Sequence, residues 1–351
     1  MNAPSTLFDK LWTQHLVRDL GGGIGLLAID RIFLHERTGS IALKSLRQSG
    51  RGVADPARVF CTMDHIVDTL PGRGDDTLMP SGKAFIVETR EAAHEAGIRV
   101  FDVRDPDQGI VHVISPELGI VLPGTTVVCP DSHTCTQGAM GALAWGIGST
   151  EAEHALATGT LRVSRPKTMR VTFDGRLPAG VGAKDLSLAL IGRHGAVGGN
   201  GHAIEYAGPA VRDLEIEARL TLCNMATEFS AMTGMIAPDD TTFAYIEGRP
   251  HAPQGELRNQ ALDDWRSLPT DEGAEFDHDV FLDATQIQPH VSWGTNPGQV
   301  SPINSVVPDP NTFSDPGARD AAQRALNYMG LLPGTPIRDI PVDTIFIGSC
   351  T

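Results

Sequence analysis

Short apolar runs recur along this chain between stretches of helical spacing, and that alternation restricts the fold more than any other feature. Leu26 to Leu34, Ile98 to Val103, Val111 to Ile114, Thr126 to Cys129, Thr168 to Phe173 and Thr344 to Ile347 read as strands. Between them, residues 5–19 set Leu7, Leu11, Trp12 and Leu16 on one helical face. Ser81 stands where it can cap a helix running to Gly97, and Thr150-Glu-Ala-Glu153 has the form of a capping box opening a helix through Leu156. Strands interleaved with helices imply an α/β architecture with mostly parallel sheets.

A chain of 351 residues exceeds what one hydrophobic core usually serves, so several units are expected. A fresh strand after Arg165-Pro166 and a polar stretch from His251 to Asp279 suggest divisions at residues 1–168, 169–290 and 291–351. The last unit, with a helix from Ala318 to Met329, ends at Gly348-Ser-Cys-Thr351 and reads as an incomplete domain.

Charge and cysteine usage narrow the function. A net charge of −15 without a basic stripe disfavours a nucleic-acid partner. No apolar run is long enough to span a bilayer, and Met1-Asn-Ala-Pro lacks the pattern of an export signal, so a cytoplasmic protein is expected. The five cysteines, Cys61, Cys129, Cys135, Cys223 and Cys350, are odd in number and scattered, which does not suggest a disulfide framework. Four read as small buried hydrophobes; Cys350, after an apolar strand and flanked by small residues, could be a metal ligand or nucleophile.

Three segments combine histidine with carboxylate near expected strand ends: Met63-Asp64-His65, the strand carrying His112, and Pro130-Asp131-Ser132-His133. A carboxylate beside an imidazole fixes its tautomer and raises its basicity, as a proton donor or acceptor requires. One such dipeptide is usually only a turn; three together point to a site. Asn224 and Glu228 are one helical turn apart, a spacing that an exposed helix face explains better than a site does. Gly195-Ala-Val-Gly-Gly-Asn-Gly201 matches neither the dinucleotide fingerprint nor the P-loop, so it reads as a tight turn and not a nucleotide site.

In order along the chain, Thr6-Leu-Phe-Asp-Lys-Leu-Trp, Ile29-Asp-Arg, Met63-Asp-His, Gly109-Ile-Val-His-Val and Asp131-Ser-His-Thr resemble the aconitase superfamily, and within it the large subunits of 3-isopropylmalate dehydratases. Gly141-Ala-Leu-Ala-Trp-Gly-Ile-Gly, Cys223-Asn-Met-Ala, Ala237-Pro-Asp-Asp-Thr-Thr-Phe, Trp293-Gly-Thr-Asn-Pro-Gly-Gln and Phe346-Ile-Gly-Ser-Cys-Thr continue the resemblance over essentially the whole sequence.

The resemblance implies an aconitase-like α/β/α fold and a hydro-lyase of leucine biosynthesis that dehydrates and rehydrates a small hydroxy-diacid. It implies a catalytic set of Asp64 with His65, His112 with Asp131, and His133 with Glu228, with Ser132 among them. His65 would protonate the leaving hydroxyl. Cys350 would be the first of three cysteines on a [4Fe–4S] cluster, whose free iron binds substrate. A small subunit carrying the swivelling domain would be the partner. The other two cluster cysteines are absent, as are the usual substrate-binding arginines, so the chain reads as truncated. Pro130 replaces a common glycine, Ile66-Val-Asp68 a more polar stretch, and Arg37-Thr-Gly-Ser40 an otherwise different loop. Two alternatives are therefore carried: a hydro-lyase for methylmalate- or dimethylmalate-type diacids, and an inactive fragment serving as a binding or scaffold protein.

Overall fold

A computed structural model describes residues 3–351. Its first large element is a five-stranded parallel sheet in the order Arg99–Phe101, Val59–Thr62, Arg31–His35, Thr126–Cys129, Leu143–Gly146. Val, Ile, Phe and Leu fill these strands on both faces, as a sheet covered on both sides requires. The chain leaves Arg31–His35 toward one edge and later returns to its other side at Thr126–Cys129. That reversal opens a crevice at the carboxyl ends of the two strands, the usual ligand position in such sheets.

A second parallel sheet runs Thr233–Met235, His202–Ala207, Lys167–Asp174, His278–Asp283. One hydrophobic core continues through both parallel sheets, while Trp293, Val307, Ala322, Ala325, Leu326 and Ile337 form a smaller one. No helix among the described residues is long and apolar enough to cross a membrane.

Several expected elements differ in detail. The first helix is Leu7–His15, and Leu16 already pairs with Leu27 in a hairpin turned by Gly21, Gly22 and Gly23 at positive φ. Leu26 to Leu34 is not one strand but two, Ile24–Ala28 and Arg31–His35, in different sheets. The break falls at Asp30, whose carboxylate accepts the Thr126 N–H at 2.9 Å.

The segment carrying His112 is a helix, Val111–Glu117, because a short buried apolar run has no periodicity that separates strand from helix. The cap near Thr150 lies two residues earlier, with Glu151 accepting the Gly148 N–H at 2.8 Å and the helix spanning Ser149–Thr158. Ser81 precedes the helix Gly82–Glu95 but sits at φ 61 and makes no side-chain cap. The last helix starts at Pro316, where Asp315 caps the Ala318 N–H at 2.7 Å. Thr344 to Ile347 has no strand partner and is exposed, Phe346 to 91%.

Candidate functional site

The crevice is built by the residues that follow three adjacent strands. Arg31–His35 delivers His35 and Glu36, Val59–Thr62 delivers Asp64 and His65, and Thr126–Cys129 delivers Asp131, Ser132 and His133. Glu36, fully buried, accepts the backbone N–H groups of Asp64 at 2.9 Å and His65 at 2.7 Å, and that of Ile66 as well. One carboxylate thus fixes the turn that presents the Asp64-His65 pair. The Asp64 side chain is held from its far side by the Val111 N–H at 2.9 Å.

His65 lies between two carboxylates. Its Nδ1 is 2.6 Å from Asp64 Oδ1 and its Nε2 3.0 Å from Asp131 Oδ2. Burial disfavours the charged ring, but the hydrogen bonds to Asp131 and Asp64 outweigh it and push the pKa up to about 10. Asp131 also takes His112 Nε2 at 3.3 Å on its other oxygen and caps the His133 N–H at 2.7 Å. Burial alone would raise the Asp131 pKa; contacts to His112 and His65 instead hold it far below the usual carboxylate range. The third pair is His133 Nε2 with Glu228 Oε1 at 3.1 Å, and Ser132 Oγ lies 3.2 Å from His133 Nδ1.

All seven expected catalytic residues therefore converge: Asp64, His65, His112, Asp131, Ser132, His133 and Glu228 form one connected network. Its His112 is reached from a helix instead of a strand. Asn224 and Glu228 do not share an exposed helix face. The helix Ile216–Asn224 ends first, Glu228 sits in a following turn, and Asn224 is 7% exposed. The Asn224 amide donates to Thr136 Oγ1 at 2.8 Å and to Cys350 Sγ at 3.3 Å. Thr136 Oγ1 in turn donates to the His133 carbonyl at 2.6 Å, which links Cys350 to the imidazole network.

Cys350 is half-buried, and Thr351 Oγ1 beside it meets Thr221 Oγ1 at 3.0 Å. Cys61, Cys129, Cys135 and Cys223 are fully buried, and burial pushes each thiol up, Cys135 to about 12. They are poor thiolate donors. The described chain therefore offers one thiol suited to an iron–sulfur cluster, fewer than such a cluster needs, and does not complete that site alone.

No motif or spacing marks His35 and Glu36 in the sequence, yet they organise the crevice. With Asp64 and His65 they bring four potential ligand atoms within 4.8 Å of one another. The Glu36 oxygens are already filled by backbone donors and His65 by two carboxylates, so hydrogen bonds account for the cluster without a cation. Gly198 and Gly199 abut the Phe229 ring, where a Cβ would clash, so the glycine run serves a close approach to that ring.

Comparison with known sequences identifies relatives of this chain. The sequence profile of the aconitase family (aconitate hydratase) matches residues 9–351. The 3-isopropylmalate dehydratase large subunit 1 of Bradyrhizobium diazoefficiens is 51% identical over 346 residues, covering 99% of this chain and 72% of that protein.

Proposed function

This chain belongs to the aconitase family, and from that membership we propose that it is the large-subunit portion of a hydro-lyase interconverting 2- and 3-isopropylmalate in leucine biosynthesis. The observation that carries the reading is His65 held at the strand ends between Asp64 on Nδ1 and Asp131 on Nε2, an imidazolium with a carboxylate on each nitrogen. Asp64 on the Nδ1 side is 1% exposed and anchored by Val111, whereas Asp131 on the Nε2 side lies farther off at 3.0 Å and is 13% exposed. The transferable proton is therefore the Nε2 one, given up when the hydroxyl takes the place of Asp131. His65 hands that proton to the departing hydroxyl, and the ionised Asp131 and Asp64 keep the ring oriented and favour its reprotonation from solvent. His112 holds Asp131 in register; His133 with Glu228, and Ser132 beside them, orient the diacid.

Cys350 would supply one ligand to a [4Fe–4S] cluster, which when bound would add Lewis-acid polarisation of the hydroxyl. The partners are a small subunit carrying the swivelling domain and a small hydroxy-diacid, in the cytoplasm, without nucleic acid or membrane. The units 1–168, 169–290 and 291–351 are the divisions we assign. The test joins residues 1–351 to the part of the Bradyrhizobium protein they do not span, adds its small subunit, and follows alkene formation. Turnover of 2- or 3-isopropylmalate is expected; a strong preference for 2-methylmalate would move the assignment to the methylmalate-type class.

A further inference from the structure

Between His65 and the helix Gly82–Glu95 the chain makes a long excursion, residues 66–81, with no regular secondary structure. Its ends close on each other: Thr77 Oγ1 donates to the Ile66 carbonyl at 2.8 Å, and any Cβ at Gly82 would strike Thr77 and Ile66. Loops of this length whose ends meet are usually functional. Little apolar burial holds its tip, since Leu70 is 64% and Leu78 89% exposed.

Polar contacts hold it instead. Arg90, on the adjacent helix, forks toward two carboxylates at once: Asp75 in the loop, at 2.6 and 2.9 Å, and Asp102 past the strand Arg99–Phe101, at 2.5 and 2.8 Å. Both carboxylates are two-thirds shielded, and the planar fork favours such bidentate pairing over the looser grip of a lysine. Arg73 adds a tether to Gln108, whose amide donates to the Met63 carbonyl at 2.5 Å, just before Asp64.

We infer that Arg90 is a positioning residue: by clamping Asp75 to Asp102 it fixes the 66–81 loop and, through Ile66, the orientation of His65. The link to catalysis rests on the role assigned to His65 above; the restraint itself does not.

The experiment therefore uses the chain itself, without turnover. Ethoxycarbonylation of His65 and tryptic cleavage after Arg73 are followed by mass spectrometry in the parent, Arg90→Gln and Arg90→Lys. Exposed His154 is the internal control, and Arg47→Gln, which removes the exposed pair with Glu95, is the variant control. Arg90→Gln should speed both reactions about tenfold, as expected for a loop released to local opening, with His154 unchanged and Arg90→Lys between. Should Arg90→Gln loosen the whole fold, Asp75→Asn removes only the loop side of the clamp and must give the same selective increase. Unchanged rates at His65 and Arg73, or uniform loss of protection in both variants, would overturn the inference. A chain that shows the selective increase yet supports no hydration in the joined enzyme would sink the proposed function and leave the clamp standing.

Discussion

The ring of His35 lies flat against the ring of His65, with centroids 3.8 Å apart and planes 15° apart. His35 is 1% exposed, and its Nε2–H donates to the Pro130 carbonyl at 2.9 Å. Burial first, and the neighbouring His65 second, push its pKa below the ordinary value, so it is the neutral partner of the stack. It ties the Asp131 loop to the ring that Asp131 must charge.

His65 should remain protonated well into the alkaline range. Its pKa is raised from 6.5 to about 10, so its contribution to stability is fully present below pH 6.5 and is lost as pH rises toward 10. Denaturation midpoints of the parent and His65→Gln should therefore differ most at the acid end of that window and converge at its alkaline end. Ring resonances of His65 titrating near 6.5 would show that the two carboxylates do not grip it.

Glu36→Gln should disturb the site more than its size suggests. A carboxylate offers acceptors on both oxygens to three backbone N–H groups, whereas the amide turns a donor toward at least one. The unmatched buried group costs about 1–3 kcal/mol. Hydrogen exchange at the Asp64, His65 and Ile66 amides should accelerate while that in Thr126–Cys129 changes little. Uniform acceleration would mean that Glu36 supports the sheet and not the turn.

The α/β class and the Asp64-His65 pair were legible because they depend on local patterns, apolar runs between helices and an adjacent Asp-His dipeptide. The pairings of His112 with Asp131 and of His133 with Glu228 came only from the resemblance, since each joins residues too far apart for spacing to record. His112 kept its partner Asp131 although its helix was read as a strand, since a short buried run carries no period. Glu36 was not legible, because its role lies in accepting backbone groups some thirty residues away in sequence, which no spacing records. Asn224 was noticed but read as surface; only the turn that ends its helix brings it to Cys350.

Arg219 should be the costliest of the structural substitutions near the site. It is fully buried on the helix that carries Asn224, donating to Leu214 O at 3.0 Å, Arg212 O at 2.9 Å and both Asp239 oxygens at 2.7 Å. Arg219→Met leaves those acceptors and one carboxylate unmatched, a loss of about 3 kcal/mol, the lower end for such pairs because Asp239 keeps some solvent. Urea denaturation measures it; a loss no larger than that of the exposed Arg47→Gln would contradict the pairing.

Anaerobic reconstitution of residues 1–351 alone should give no stable [4Fe–4S] centre. Cys350 is the one cysteine of five that is not fully buried, and burial keeps the other four thiols protonated. Stoichiometric iron and sulfide with the visible absorption of a cluster would show that buried cysteines can be recruited. Cys350→Ser in the joined enzyme should lower cluster content, a result independent of turnover.

In that joined enzyme with its small subunit, His65→Ala should separate proton transfer from iron binding. His65 touches Asp64 and Asp131 and makes no hydrogen bond to Cys350, so cluster content should match the parent. Loss of a general acid typically lowers turnover about 10²–10⁴-fold, and the effect should fall on kcat more than on KM because the contact strengthens as the hydroxyl leaves. His112→Ala removes a neighbour of Asp131 instead of the proton carrier, so its loss should be smaller and should lower the alkaline limb of the pH profile by weakening the hold on Asp131. Equal losses in the two variants would place the transferable proton elsewhere in the network, and near-parental turnover of His65→Ala would remove His65 from the role of acid.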